Sequence, residues 1–164
     1  MIYADYNANA PVDLKDRPGA DEAEILGITT ESIRWNESMS VGVAALDSEH
    51  KMLIDILNDL HSRVEAGHGG EVMRVVLTRL TDYVHTHCRH EEALLALYGY
   101  DQAETQQAAH VEFGNKVMDL QLMLLKGDKT VGQETVIFLR DWLIHHILTS
   151  DMDYKACLAG HDLK

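Results

Sequence analysis

Apolar positions recur every three or four residues through most of the chain. The clearest run is Ala103, Gln106, His110, Phe113, Val117, Leu120 and Leu124, whose steps trace one face of a long helix. Leu80, Val84, His87, Glu91, Leu94 and Tyr98 form a second such face, and Thr135, Phe138, Trp142, His146 and Thr149 a third. No stretch alternates with period two for long, so strands are not expected. Caps and glycines divide the pattern. A first helix begins near Asp47 or Ser48, either of which can cap it, and ends at Gly67-His68-Gly69-Gly70. A second runs from about Glu71 to Tyr98 and stops at Gly99; a third runs from about Asp101 to Lys126 and stops at Gly127-Asp128. A fourth runs from Lys129 or Thr130 to about Leu158. Four long helices with short loops predict an all-α fold, an antiparallel up-down-up-down four-helix bundle.

Both prolines, Pro11 and Pro18, precede this body, together with Asp13, Asp16, Asp21, Glu22 and Glu24. The composition shift divides the chain into an acidic, partly irregular N-terminal arm (1–34) and a helical body (35–164). Ile25, Leu26 and Ile28 offer apolar groups through which the arm could dock.

Polar residues interrupt the apolar stripes at informative places. His50 lies on the first helix, His87 and Glu91 on the second, Gln106 and His110 on the third, His146 and Asp151 on the fourth. His87 and Glu91, four apart, share one helical face. Taken singly, each histidine reads as a hydrogen-bonded core residue. One per helix, joined by two carboxylates, reads better as a metal site built from inward-projecting side chains. Burying so many titratable groups is costly unless they are neutral and paired or coordinate a cation. Imidazoles with carboxylates suit iron, and the carboxylates can bridge two ions. The chain lacks the matched Glu-x-x-His pairs of ferritin-type bundles, and His90-Glu91-Glu92-Ala93-Leu94 is not the H-E-x-x-H of a metalloprotease. Asp151 follows His146 by five residues, about 140° around an ideal helix. Both can reach one centre only if the helix is irregular there or Asp151 reaches in from a flank.

Composition narrows the classes further. The 164 residues suit one domain with a tail, and 46% hydrophobic content supports a buried core. A formal net charge of −13 opposes binding to nucleic acid or to anionic membranes. Cys88 and Cys157 cannot form a disulfide framework or a cysteine-rich zinc site, which fits a cytoplasmic setting. The longest apolar runs are too short to span a bilayer, and the N-terminus is not a signal peptide.

Four motifs, in order, resemble the hemerythrin family, specifically its single-domain bacterial members. They are W-N-E-S-M-S-V-G-V-x-x-L-D-x-x-H-K ending at Lys51, Y-x-x-x-H-x-x-x-E-E from Tyr83, H-V-E-F from His110, and W-L-x-x-H-I-x-x-x-D-x-x-Y from Trp142 to Tyr154. The resemblance covers about Trp35 to Tyr154. It implies reversible O2 binding at two iron ions (Fe2+/Fe3+) with a bridging oxo or hydroxo group. It implies that His50 and His87 ligate the iron with the open position, that Glu91 and Asp151 bridge, and that His110 and His146 serve the other iron. The family's third histidine on that second iron falls where this chain has Gln106. The glutamine could ligate through its amide oxygen, order a water or leave a vacancy; Gln107, off the stripe, is not expected to substitute. Cys88 stands where the family commonly has Phe and reads as a small buried thiol. Phe113 and Trp142 read as an apolar wall around the site, Met39, Met52 and Met118 as packing, and His85 and His90 as solvated.

No catalytic acid or nucleophile outside the metal shell suggests itself, so binding of O2 or a similar diatomic, for transport, storage or sensing, is favoured over turnover. The alternative is a diiron oxidoreductase acting on peroxide or nitric oxide, made reactive by Gln106. A partner protein for the arm stays open, since nothing in its sequence specifies one.

Overall fold

The computed structural model describes residues 32–159 and 161. Pro11, Pro18 and the apolar Ile25, Leu26 and Ile28 of the arm lie outside the described residues. The described part is helical throughout, with no strand among the described residues. A short 3-10 turn, Glu37–Met39, is capped by Asn36, whose side chain accepts from the Ser38 N–H. Four long helices follow. α1 is Ala44–Glu65. α2, residues 69–97, comprises an α-helix Gly69–Tyr83, a π-helical turn Val84–Cys88 and an α-helix Arg89–Leu97. α3 is Ala103–Leu125. α4, residues 131–158, comprises an α-helix Val131–His145, a π-helical turn His146–Asp151 and an α-helix Met152–Leu158.

Short connections at 66–68, 98–102 and 126–130 make sequential helices antiparallel neighbours, and α1 also packs on α4. The expected bundle is therefore present. At the end of α1, Gly67 takes φ +81°, which lets the His68 N–H reach Arg63 O (2.8 Å) and the Gly67 N–H reach Val64 O (3.0 Å). At the same end a Cβ on Gly69 would stand 2.7 Å from Val64 Cγ2, so glycine there permits the close approach of α2 to α1. α1 begins earlier than Asp47. That carboxylate sits inside the first turn and accepts from the Val41 N–H (2.8 Å) and the Ser40 hydroxyl (2.6 Å), fixing the entering chain. Ile33, counted with the arm by composition, is buried and exchanges two hydrogen bonds with Asn58 of α1.

The core has two parts. The larger contains Leu53, Leu60, Met73, Leu80, Phe113 and Leu139; the smaller contains Val41, Leu46, Leu95, Tyr154 and Leu158. On every helix the polar interruptions fall where one part gives way to the other: His50 between Leu46 and Leu53, Glu91 between Cys88 and Leu95, Asp151 between Ile147 and Tyr154. Met52 and Met118, read from sequence as packing, are instead exposed. Among the described residues no helix is long and apolar enough to cross a membrane.

Candidate metal centre

The structure brings His50, His87, Glu91, Gln106, His110, His146 and Asp151 into one cluster, each at most 4% exposed. The irregularity expected near Asp151 is the π-helical turn His146–Asp151. A turn closed by i→i+5 hydrogen bonds aligns residues five apart, so His146 and Asp151 face the same interior point. The corresponding turn in α2, Val84–Cys88, was not legible from sequence, because His87 and Glu91 keep ordinary i, i+4 spacing.

The two carboxyl groups lie between two pairs of imidazoles. Glu91 Oε2 is 3.4 Å from His87 Nε2, while Glu91 Oε1 is 3.4 Å from His110 Nε2. Asp151 Oδ2 is 3.2 Å from His50 Nε2, while Asp151 Oδ1 is 3.2 Å from His146 Nε2. Each carboxyl thus divides its oxygens between a His50–His87 half and a His110–His146 half. Gln106 belongs to the second half. Its Nε2 donates to Glu91 Oε1 (2.7 Å) and to Asp151 Oδ1 (2.5 Å) and lies 3.1 Å from His146 Nε2. The donor atoms of His50, His87 and Glu91 all lie within 4.8 Å of one another, and so do those of Glu91, His110 and His146.

A ring of partners orients these side chains. His87 Nδ1 is 2.8 Å from Glu49 Oε2, and His90 Nδ1 is 3.1 Å from Glu49 Oε1, so His90 is engaged rather than solvated. His110 Nδ1 is 2.9 Å from Glu92 Oε1. The Tyr154 hydroxyl donates to Glu91 Oε2 at 2.9 Å. Tyr83 stacks on His87 at a centroid distance of 4.6 Å, and Trp142 on His146 at 4.2 Å. Such outer carboxylates fix which ring nitrogen carries the proton and leave the other free to bind. Glu49 was not singled out from sequence, and Tyr83, Glu92 and Tyr154 stood in the quoted motifs without a role. Glu49 and Glu92 sit next to His50 and Glu91 in the chain, and about 100° of helical rotation aims each at a neighbouring helix.

Electrostatics follow from burial and charge. Burial depresses His50 and His146 to about 3, so both imidazoles are neutral and keep a lone pair. Burial also works against protonation of His87, but its hydrogen bond to Glu49 and the nearby Glu91 carboxylate prevail and raise it to about 9. Burial lifts Glu91, yet the adjacent His87, its Nε2 3.4 Å from Oε2, outweighs it and holds the carboxyl at about 2. Asp151 is pushed well upward by burial and by the charge of Glu91. Cys88 is buried, and that burial raises its thiol.

The residues fit a bound cation on their own chemistry. His50 Nε2, His87 Nε2 and Asp151 Oδ2 are buried with no hydrogen-bond partner, although the His50 and Asp151 atoms stand 3.2 Å apart, outside hydrogen-bond geometry. Buried polar atoms left without partners at such cost are what a coordinating ion, taking the place of the protons on His87 and Asp151, would satisfy.

Comparison with known proteins agrees. The Hemerythrin HHE cation binding domain matches residues 41–158. Bacteriohemerythrin of Methylococcus capsulatus is 35% identical over 121 residues, 74% of this chain and 90% of that protein. A hemerythrin-like protein of Naegleria gruberi is 30% identical over 124 residues, 76% of this chain and 92% of that protein. A wild-type hemerythrin crystal structure superposes with a TM-score of 0.70 at 32% identity, covering 78% of this chain and 98% of that one. With the family match spanning nearly the whole bundle and the His/Glu cluster at its centre, the chain belongs to the hemerythrin family of non-heme iron-binding domains.

Proposed function

We propose that this chain binds O2 reversibly at two irons bridged by Glu91 and Asp151, with His50 and His87 on one iron, His110 and His146 on the other, and Gln106 in the place of a third histidine. The observation that carries the reading is the division of both carboxyls between the two imidazole pairs. A single cation would not need both oxygens of both groups aimed at opposite halves. Iron bound there would supply the reversible redox chemistry of O2 uptake.

The chain's own residues do the rest. Glu49 and Glu92 hold His87 and His110 in orientation through their Nδ1 atoms. Tyr154 fixes Glu91. Phe113, packed 4.2 Å from Trp142, and Trp142, stacked on His146, wall the centre from water and acid. Gln106 presents an amide, and a half-turn of that amide exchanges its oxygen for its nitrogen at the same point. It can therefore donate to the two carboxyls or offer oxygen to a cation. Oxygen is a weaker and harder donor than imidazole, so the second iron is held less firmly than a histidine would hold it.

Anaerobic loading with Fe(II), followed by iron analysis and O2 titration, tests this. The expected result is two irons per chain and an absorbing O2 adduct that is reversed by deoxygenation. Less than one iron, or zinc alone, would refute the dinuclear reading. Immediate decay to a ferric form would instead favour an oxidoreductase acting on peroxide or nitric oxide.

A further inference from the structure

Apart from Trp35 Nε1, the buried side-chain nitrogens and oxygens without a hydrogen-bond partner among the described residues all belong to the His50–His87 half or to the ring stacked on it. They are both ring nitrogens of His50, Nε2 of His87, Oδ2 of Asp151 and the hydroxyl of Tyr83. The cation accounts for His50 Nε2, His87 Nε2 and Asp151 Oδ2. It does not account for His50 Nδ1, an N–H donor when Nε2 ligates, or for the hydroxyl of Tyr83. A buried hydroxyl without a partner costs about 1–3 kcal/mol, and phenylalanine would fill the same space without that cost. The ring of Tyr83 lies 4.6 Å from that of His87, nearly parallel at 22°, and meets Phe113 edge-on at 6.1 Å. It is 1% exposed. A phenol is an O–H donor, and this one sits on a ring stacked against His87 with no acceptor among the described residues.

We propose that the Tyr83 hydroxyl is a specificity-determining donor, reserved for a small hydrogen-bond-accepting ligand that enters the His50–His87 half of the centre. The ligand class is a diatomic or small anion with an exposed acceptor lone pair. Ligands that lack one gain nothing from this residue. The contrast with the other half supports the assignment: there the Nε2 atoms of Gln106, His110 and His146 are already engaged with one another, and Gln106 also with both carboxyls. The inference rests on the dinuclear reading above.

Azide is a suitable probe, titrated into the iron-loaded full chain and its Tyr83→Phe variant, with iron content and apoprotein Tm measured beside it. Expected are equal iron content, azide binding about ten- to a hundredfold weaker in the variant, as for loss of a hydrogen bond to a charged group, and an apoprotein Tm that is unchanged or higher. Equal azide affinity at equal iron content would overturn the assignment while leaving the dinuclear centre intact. A lower apoprotein Tm would also overturn it, since the hydroxyl would then have a structural partner such as a buried water. Reduced iron in the variant would make Tyr83 part of metal retention, contrary to the proposal. Failure of the unsubstituted protein to take up iron would overturn both.

Discussion

Replacing Gln106 with leucine removes a donor from two buried carboxyls at once, and the structure sets the size of the effect. Glu91 is ionised, held at about 2 against its burial by the adjacent His87. Its 2.7 Å contact with Gln106 Nε2 is therefore charge-assisted, a class worth about 1.5–3 kcal/mol. Asp151 is driven toward its protonated form by burial and by Glu91. Its bond from Gln106 then counts as a neutral one, about 0.5–1.5 kcal/mol. Together the loss is about 2–4 kcal/mol in the apoprotein. For a chain of this size, where each kcal/mol moves Tm by about 2–4 °C, that is a drop on the order of 10 °C. Urea or thermal unfolding of the apoprotein, followed by circular dichroism, measures it. Gln107→Leu is the control: the neighbouring glutamine is exposed, and its substitution stays within about 0.5 kcal/mol. If Gln106→Leu unfolds within roughly 1 kcal/mol of that control, about the resolution of such comparisons, the hydrogen bonds assigned to Gln106 do not stabilise the centre.

Gln106→His introduces a third imidazole into the His110–His146 half and, on the dinuclear proposal, is expected to slow iron loss to a chelator and to lengthen the life of an O2 adduct; unchanged values would mean that Gln106 does not control metal binding in that half. Glu49→Ala frees the His87 and His90 rings from their shared carboxylate. It should weaken iron binding about ten- to a hundredfold, read by competition with a chelator, and equal affinity would show that Glu49 does not orient His87.

The bundle was legible in the sequence because each helix carries its own stripe and its own stop. The α3 stripe from Ala103 to Leu124 and the stops at Gly67, Gly99 and Gly127 are local signals that tertiary contacts do not override. The seven polar interruptions were legible for the same reason, and the five-residue spacing of His146 and Asp151 required either a distorted turn or a reach from the flank, of which the π-helical turn is the first. Less visible were residues whose roles depend on how two helices face each other. Glu49 reads as a solvated helix glutamate until α2 places His87 and His90 beside it. Tyr83 enters only as the first residue of a motif until its hydroxyl is found without a partner. The α2 π-turn left no trace, since nothing in the spacing of His87 and Glu91 requires it.

The π-helical turn in α4 also bears on how such a centre could be moved between scaffolds. A π-turn is one extra residue folded into a helix, so everything after it is rotated by about 100° relative to a straight continuation. Residues 152–158, with Tyr154 and Leu158 in the core, are set by that offset. Grafting the seven site residues onto straight helices would leave either Asp151 out of reach of His146 or Tyr154 and Leu158 facing water. A transplant must therefore carry the insertion as well as the side chains, and deleting one residue between His146 and Asp151 should damage the packing of the helix end as much as the centre itself.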